Sequence, residues 1–353
     1  MTSETRLSRR ELLKLAASCA ASIGLAGCVA APRRRLGDSV ILLVAPFANA
    51  NHYREFFGDL IGFSSRLIEA AHAADLVLVL VDQRTKGELG DSIPRENQLT
   101  GSVPDIWIRD FAPVRTAAGS FKFRYQPAYL RRQDALFIER GFMHWFRSVG
   151  LEASPLDLIL DGGNFVYNGR DSAIITERVL EDNPAHTRAE IHQRIQTGLQ
   201  LEHLAIIPEG PREKTGHADG MVVWLSEEIL GVARYTEPDR SRVLGALDQS
   251  LPGVELVELP FEPTGEMWQG WESASGVYVN ALSTENALYV PRFGLEADDL
   301  AVRTYQSFAS KAVIPVETGR EVRLGGSIRC LTWEISGRDA QRVLESAASA
   351  GRA

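Results

Sequence analysis

The chain has 353 residues, 44% hydrophobic and 24% charged, a balance that fits a soluble globular protein and excludes collagen-like, coiled-coil and disordered classes. A formal net charge of -8 and a pI near 5.5 leave no basic footprint, so nucleic acid is not an expected partner. The three cysteines, Cys19, Cys28 and Cys330, are too few for a disulfide scaffold.

The N-terminal segment reads as an address. Residues 8 to 14 are Ser-Arg-Arg-Glu-Leu-Leu-Lys, and an apolar run from Leu15 to Gly27 follows. A basic region before a short apolar stretch is a secretory signal, too short to span a bilayer. The pair Arg9-Arg10, with hydrophobic residues close behind, fits the twin-arginine type. The segment ends Leu25-Ala26-Gly27-Cys28, which resembles a bacterial lipoprotein box, where the cysteine is lipidated and becomes the mature N-terminus. Ordinary cleavage near Ala31, leaving a soluble periplasmic protein, is the alternative. The expected layout is a signal peptide over residues 1–27 and a membrane-anchored tether over 28–37, with Pro32 and Arg33 to Arg35 marking the linker. A single catalytic domain over 38–337 and a C-terminal helical tail over 338–353 complete it. The lost segment carries four basic and two acidic residues, so its removal takes the net charge from -8 to -10. It also leaves Cys330 as the free thiol of the mature protein.

From Ser39 onward, strand-like and helix-like segments alternate. Val40–Ala45 and Leu76–Val81 are apolar runs of strand length. Between them Phe56, Leu60, Phe63, Leu67 and Ala71 have helical spacing. Further strands are expected at 156–160, 172–176, 204–208, 221–225, 277–281, 287–290 and 312–316, and further helices at 187–199, 237–251 and 300–310. This grammar predicts an α/β protein. Polar clusters sit just beyond short apolar strands, and strand ends from separate units commonly converge on a catalytic centre.

Four segments carry the chemistry. They are Asp105-Ile106-Trp107-Ile108-Arg109-Asp110-Phe111-Ala112-Pro113, Leu160-Asp161-Gly162-Gly163-Asn164-Phe165, Thr215-Gly216-His217-Ala218-Asp219-Gly220 and Leu324-Gly325-Gly326-Ser327-Ile328-Arg329-Cys330-Leu331-Thr332. Singly each has an ordinary reading: Trp107 as core, Arg109 and Asp110 as an ion pair, the Gly-Gly pairs as turns, Cys330 as a packed thiol. None of the seven histidines has zinc-ligand spacing beside cysteines, and neither a phosphate-binding loop nor a Gly-x-Ser-x-Gly elbow is present. Jointly, the segments bring a cysteine nucleophile, a histidine and several carboxylates, the equipment for covalent catalysis. Acyl transfer needs donors for an oxyanion rather than aspartates. Carboxylates suit a cationic electrophile instead, and a guanidinium pairs with them bidentately.

The ordered set Trp-x-Arg-Asp-x-x-Pro, Asp-Gly-Gly-Asn, Gly-His-x-Asp and Gly-Gly-x-Ile-x-Cys-x-Thr resembles the agmatine deiminase and bacterial peptidylarginine deiminase family, of the guanidine-modifying pentein superfamily. The resemblance implies a five-bladed α/β propeller of ββαβ-type units around a central site. It also implies Cys330 as nucleophile, His217 as general acid/base, and Asp110 and Asp219 gripping the guanidinium nitrogens. Asp161 would support the histidine. Trp107, Arg109, Asn164, Asn280 and Gly326 would shape the substrate site, and no cofactor is needed. The implied reaction converts agmatine and water to N-carbamoylputrescine and ammonia through a thiouronium; a peptidyl or C-terminal arginine is the alternative substrate. An amidinotransferase and a guanidinium-binding surface lipoprotein without catalysis are the other readings. Departures from the family pattern are Ala112 before proline, Asp161 in place of glutamate, and Arg329 where histidine is frequent. Arg131 and Arg132 could meet a substrate carboxylate or form a solvated loop pair. The oligomeric state is not legible.

Overall fold

A computed structural model describes residues 39–211 and 214–350. The signal peptide, the lipidation site Cys28 and the tether lie outside the described residues. One local pattern recurs five times: two antiparallel strands, a helical crossover, and a third strand parallel to the second. A parallel pair needs such a crossover because a tight turn cannot reverse the chain direction twice.

The first unit pairs β1 (Ser39–Val44) in parallel with β2 (Leu76–Val81) across α1 (Phe57–Ala71), and β3 (Gln98–Thr100) extends it. The short helix α2 (Ile108–Phe111) leads to the second unit, β4 (Val114–Thr116), β5 (Gly119–Arg124), α3 (Arg132–Ser148) and β6 (Ser154–Ile159). The third comprises β7 (Val166–Tyr167), β8 (Ser172–Thr176), α4 (Arg178–Asp182), α5 (Arg188–Gly198) and β9 (His203–Ile207). The fourth is β10 (Val222–Trp224), β11 (Ile229–Ala233), α6 (Asp239–Ser250) and β12 (Glu255–Leu259). A hairpin, β13 (Met267–Trp268) with β14 (Trp271–Glu272), precedes the fifth: β15 (Leu282–Ser283), β16 (Ala287–Arg292), α7 (Asp298–Phe308) and β17 (Ala312–Glu317). The chain then returns, and β18 (Trp333–Ser336) pairs antiparallel with β1, Leu42 opposite Trp333. The first unit is therefore completed by the end of the chain.

Side-chain patterning explains these elements. All six residues of β1 are buried, as expected for a strand covered on both faces. Helix α1 turns Leu60, Phe63, Leu67 and Ala71 onto Ile41, Leu43 and Val77, the stripe its spacing predicts. Thr187 caps α5 reciprocally with Glu190, each side chain accepting from the other's backbone N–H. Helix α8 (Gly337–Ala350) follows β18 directly and buries Ala340 and Val343 in the cluster that contains Val40, Leu42 and Ile335. The C-terminal helical segment is thus packed into the main body.

Among the elements that differ from expectation are a helix and a strand, beside several short strands that local spacing did not mark, such as β5, β11, β12 and β18. Helix α3 is not anticipated, because Gly141 and a run of aromatic residues weaken its intrinsic propensity. Tertiary packing supplies the difference: Phe142 is fully buried against Phe111, Trp145, Phe146 and Trp333. Gly141 is required there, since a Cβ would lie 2.6 Å from Pro104 Cδ. The strand expected over 277–281 does not form. Val277 makes a single bridge to Phe261, and the following residues turn, with Asn280 N–H donating to the Val277 carbonyl.

Candidate active site

Each of the four sequence motifs leaves its unit as a turn rather than as regular structure. Asp110 comes from α2. Asp161 immediately precedes the single-turn helix Gly162–Asn164 after β6. His217 precedes the single-turn helix Ala218–Gly220, which holds Asp219. Asn280 sits in the turn before β15, and Cys330 in the turn before β18. Trp107, Asp110, His217, Asp219, Gly326 and Cys330 line one cavity of about 1030 Å³, with Asn280 beside the thiol. Short turns suit this task because a one-turn helix aims its first side chains without carrying them around a cylinder.

His217 is clamped between two carboxylates. Its Nε2 lies 3.2 Å from Asp161 Oδ2 and its Nδ1 lies 3.7 Å from Asp110 Oδ1. The clamp depends on Gly163, where a Cβ would meet His217 Nδ1 at 2.5 Å and Asp110 Oδ1 at 2.6 Å. Across the cavity, Asn280 organises the nucleophile. Its Nδ2 donates to the Asp219 carbonyl at 3.2 Å and to Cys330 Sγ at 3.1 Å, while Oδ1 accepts from Ser327 N at 3.3 Å. Cys330 Sγ lies 3.9 Å from Asp219 Oδ2. The buried Asp110 Oδ1 receives no hydrogen bond and has His217 Nδ1 at 3.7 Å as its ion-pair partner.

Burial and these charges shift the acid–base properties in a consistent way. Burial pushes the Asp110 carboxyl up to about 7, with His217 opposing and Asp161 and Asp219 reinforcing the shift. Burial works against the charge on His217, yet Asp110, Asp161 and Asp219 outweigh it and carry the imidazole up to about 10. Burial, then Asp219 and Asp110, push the Cys330 thiol well above its ordinary value. At neutral pH the empty site therefore holds an imidazolium and a neutral thiol. A cation entering beside Asp110 and Asp219 reverses the electrostatic argument at sulfur, since a positive neighbour favours the thiolate.

Most of the expected residues meet at this cavity; Asp161, Arg109 and Asn164 are absent from its wall, Asp161 standing against His217. Trp107 and Gly326 face each other in its wall, and a Cβ on Gly326 would lie 2.6 Å from the Trp107 ring and 2.9 Å from Cys330 Cβ. Arg109, expected in the substrate site, is turned the other way: it pairs with Glu334, and its Nε donates to the Arg329 carbonyl at 3.4 Å. Adjacent residues on one helical turn cannot both face the cavity, so Asp110 points in and Arg109 out. Asn164, also expected there, accepts from Thr176 N at 2.9 Å and Ala218 N at 3.1 Å. It ties the Asp161 turn to the His217 turn without lining the cavity. Arg131 lines the mouth and pairs with Asp134 at 2.7 Å.

Other contributors were not legible in the motifs. Tyr129 packs edge-on against Trp271 with ring centroids 5.3 Å apart, and Lys214 Nζ lies 3.9 Å above the Trp271 ring. Trp268 packs against Phe56 and His52. These aromatic residues of the outer wall belong to no repeated pattern. Arg329, noted as a departure from the family pattern, donates from Nη1 to Asp219 Oδ2 at 2.7 Å and from Nη2 to the Phe165 carbonyl at 2.8 Å.

Comparison with known proteins agrees with this geometry. Among curated proteins, the chain is 26% identical over 210 residues to a "Putative agmatine deiminase" of Enterococcus faecalis and 24% identical over 210 residues to one of Lactococcus lactis. Each match covers 50% of this chain and 57% of the relative, so the chain spans about half the length of the curated relatives it matches. The mixed α/β fold is similar to that of C. jejuni agmatine deiminase, with a TM-score of 0.72 at 16% identity over 84% of this chain and 93% of that one. It is also similar to a "Putative Arginine Deiminase from Porphyromonas gingivalis", with a TM-score of 0.66 at 19% identity over 84% and 95% of the two chains. The model of the Porphyromonas-type peptidyl-arginine deiminases matches residues 38–335, which takes in all four motifs and every side chain of the cavity named above, and this chain belongs to that family.

Proposed function

We infer that this chain hydrolyses a guanidinium group to a ureido group with release of ammonia, acting on agmatine to give N-carbamoylputrescine. One observation carries the reading: Cys330 Sγ shares a cavity with His217 and the carboxylates of Asp110 and Asp219. A guanidinium brings donors to both carboxylates in a planar, permanently charged form.

The reaction follows from the positions. Asp110 and Asp219 hold the guanidinium nitrogens and keep its central carbon in register with Cys330 Sγ. The arriving cation lowers the thiol's hold on its proton, which passes to bulk water, and the thiolate adds to the carbon, forming the C–S bond as the C=N π pair moves to nitrogen. The His217 imidazolium donates its proton to the departing nitrogen, the C–N bond breaks, and ammonia leaves a thiouronium on Cys330. His217, now neutral, takes a proton from water as the water oxygen adds to the same carbon. Collapse of that adduct returns the electron pair to sulfur, the adduct's hydroxyl proton passes to the thiolate, and the neutral ureido product leaves. Asp161 keeps the ring oriented through both steps, as its 3.2 Å contact allows.

A second substrate reading has its own support. A cavity of about 1030 Å³ gives more room than a guanidinium on a short alkyl amine requires, and Arg131 and Arg234 both lie on its wall. Those features suit a peptidyl or C-terminal arginine. Incubating purified protein with agmatine, arginine and an arginine-containing peptide, and measuring ammonia with the ureido product, decides between them. Agmatine turnover at the highest kcat/KM is expected. Turnover of the peptide alone would move the assignment to peptidylarginine, and no ureido product from any of them would sink it.

The five repeated units, with the last strand closing on the first, support a pentein five-bladed propeller; a crystal structure without pseudo-fivefold placement of the sheets would overturn that arrangement. The Arg9-Arg10 pair and the Leu25–Cys28 box support export by the twin-arginine route and a lipid anchor facing the periplasm or cell exterior. Cys28→Ala is expected to move the protein from the membrane fraction to the soluble one, and unchanged membrane association would remove the lipoprotein reading.

A further inference from the structure

The carboxylate assigned to grip the substrate from the thiol side is already in contact with a guanidinium. Arg329 immediately precedes the nucleophile, and its Nη1 lies 2.7 Å from Asp219 Oδ2, the same oxygen that stands 3.9 Å from Cys330 Sγ. Both partners are buried, with side-chain exposures of 11% and 2%. The second guanidinium nitrogen donates to the Phe165 carbonyl at 2.8 Å, at the end of the Asp161 motif. Behind it, the neutral pair Arg109–Glu334 closes the network, with Arg109 Nε donating to the Arg329 carbonyl. Arg329 thus joins all four motifs at one point.

A buried ion pair is expensive to form and is weak evidence for a stabilising role. Its position is more informative. The groups facing Arg329 are Asp219, Arg109 and Glu334, and those facing the thiol are Asp219, Asp110, Asn280 and Arg109. Around the cavity, the carboxyl groups of Asp110, Asp161 and Asp219 stand against His217 and Arg329. With all five groups charged the set carries one net negative charge, and one guanidinium cation brings it to neutrality. Without Arg329 the same site would hold two negative charges, and a thiolate would have to form in a site that stays anionic after substrate binds. Asp219 would also lose its 2.7 Å donor at Oδ2, Arg329 Nη1, and keep the longer Cys330 Sγ contact at 3.9 Å.

We propose that Arg329 is a positioning residue for the thiol: it fixes Asp219 against the nucleophile and supplies the positive charge that allows Cys330 to ionise when a cationic substrate binds. The proposal rests on the assignment of Cys330 as nucleophile, and its consequence can be read without turnover. It also separates this chain from one in which the position before the cysteine is a histidine, whose charge would vary with pH. Arginine stays charged throughout the working range.

The test follows alkylation of Cys330 by chloroacetamide, a neutral reagent that reports thiolate, against pH. The full-length protein is used without substrate, and the Cys330 peptide is quantified by mass spectrometry. Arg329 acts on the thiol through Asp219, whose Oδ2 lies 3.9 Å from Sγ, and a charge at that distance moves an ionisation by roughly one to three units once its counter-ion is removed. Arg329→Met is therefore expected to raise the inflection by at least about one unit, seen as about tenfold slower alkylation at a fixed pH below it. Arg329→Lys, which keeps the charge without the fork, is expected to stay near the wild-type curve. If circular dichroism shows Arg329→Met to be unfolded, Arg329→Gln takes its place, since it keeps a donor for the Phe165 carbonyl and carries no charge. In the deimination assay the neutral variant is expected to lose kcat about tenfold with no rise in KM, because Asp219 is released toward the substrate. A folded neutral variant with the wild-type alkylation curve would overturn the proposal and leave Arg329 a packing residue. If the wild type alkylates with the expected dependence but deiminates none of the three substrates, the substrate reading fails and the role of Arg329 stands.

Discussion

Replacing Cys330 by alanine is expected to lower ammonia release from agmatine by roughly 10⁴- to 10⁶-fold, the range seen when a covalent nucleophile is removed from an intact site. Its neighbours do not depend on the sulfur. His217 stays between Asp110 and Asp161, and Asn280 keeps its bonds to Ser327 N and the Asp219 carbonyl. Substrate binding should therefore persist, and calorimetric titration of the variant with agmatine should give a dissociation constant within a few-fold of the wild-type KM if binding precedes slow chemistry. The same assignment predicts a transient mass increase on the Cys330 peptide of the wild type when turnover is quenched. Ammonia release by Cys330→Ala within tenfold of wild type would exclude a thiouronium on this residue and transfer the chemistry to a directly activated water.

Asp110→Asn is expected to lower kcat/KM about 10²-fold and to change the shape of its pH dependence. Hydrogen bonds to charged groups contribute about 1.5–3 kcal/mol each, and about 1.4 kcal/mol is tenfold in rate. Asp110 grips the guanidinium only when ionised, and burial raises its carboxyl to about 7. In the wild type kcat/KM should accordingly fall as the pH drops through about 7, and that limb should be absent in Asp110→Asn. The linkage sign is consistent. A carboxyl whose folded value is raised above the unfolded one contributes stability that is present below the unfolded value, near 4, and lost as the pH rises through about 7. Ionising Asp110 therefore costs the empty protein stability that a bound cation restores. Agmatine should raise the melting temperature of Cys330→Ala more at pH 8 than at pH 6. A wild-type profile flat across pH 6 to 8 would remove Asp110 from the grip.

How much of this site was visible in the sequence depended on the kind of information each residue carries. Asp161, His217, Asp219 and Cys330 each sit in a short motif with glycines that help make the turn, and Asp110 sits in a glycine-free one, Trp-x-Arg-Asp-x-x-Pro, so each candidate is marked by its local sequence. Gly163 is the clearest instance: its missing Cβ is what lets His217 and Asp110 approach. Arg109 lies in an equally strong motif, yet its neighbour faces the cavity and it does not. Its partner Glu334 is 225 residues away, and no local spacing could identify it. Asn164 illustrates the same limit, since its position in Asp-Gly-Gly-Asn is shared by residues that touch substrate and by residues that hold two turns together.

The alternation of strands and helices was legible wherever burial imposed a period, as in β1, α1 and β2, because a strand covered on both faces must be continuously apolar and a helix on its surface must present a stripe. It failed where long-range contacts overrode local preference. The aromatic helix α3 forms because Phe142 and Trp145 fill a core made by distant segments, and the apolar run at 277–281 turns because the Asn280 amide is held by Ser327 N and the Asp219 carbonyl. The sequence by itself determined the α/β class, the family and the candidates for the reacting groups, since these depend on composition, period and short motifs. The tertiary structure alone decided that Arg109 leaves the cavity, that an aromatic wall surrounds its mouth and that Arg329 occupies Asp219. Those outcomes are contacts between residues far apart in the chain, chosen by packing and charge pairing that no local stretch encodes.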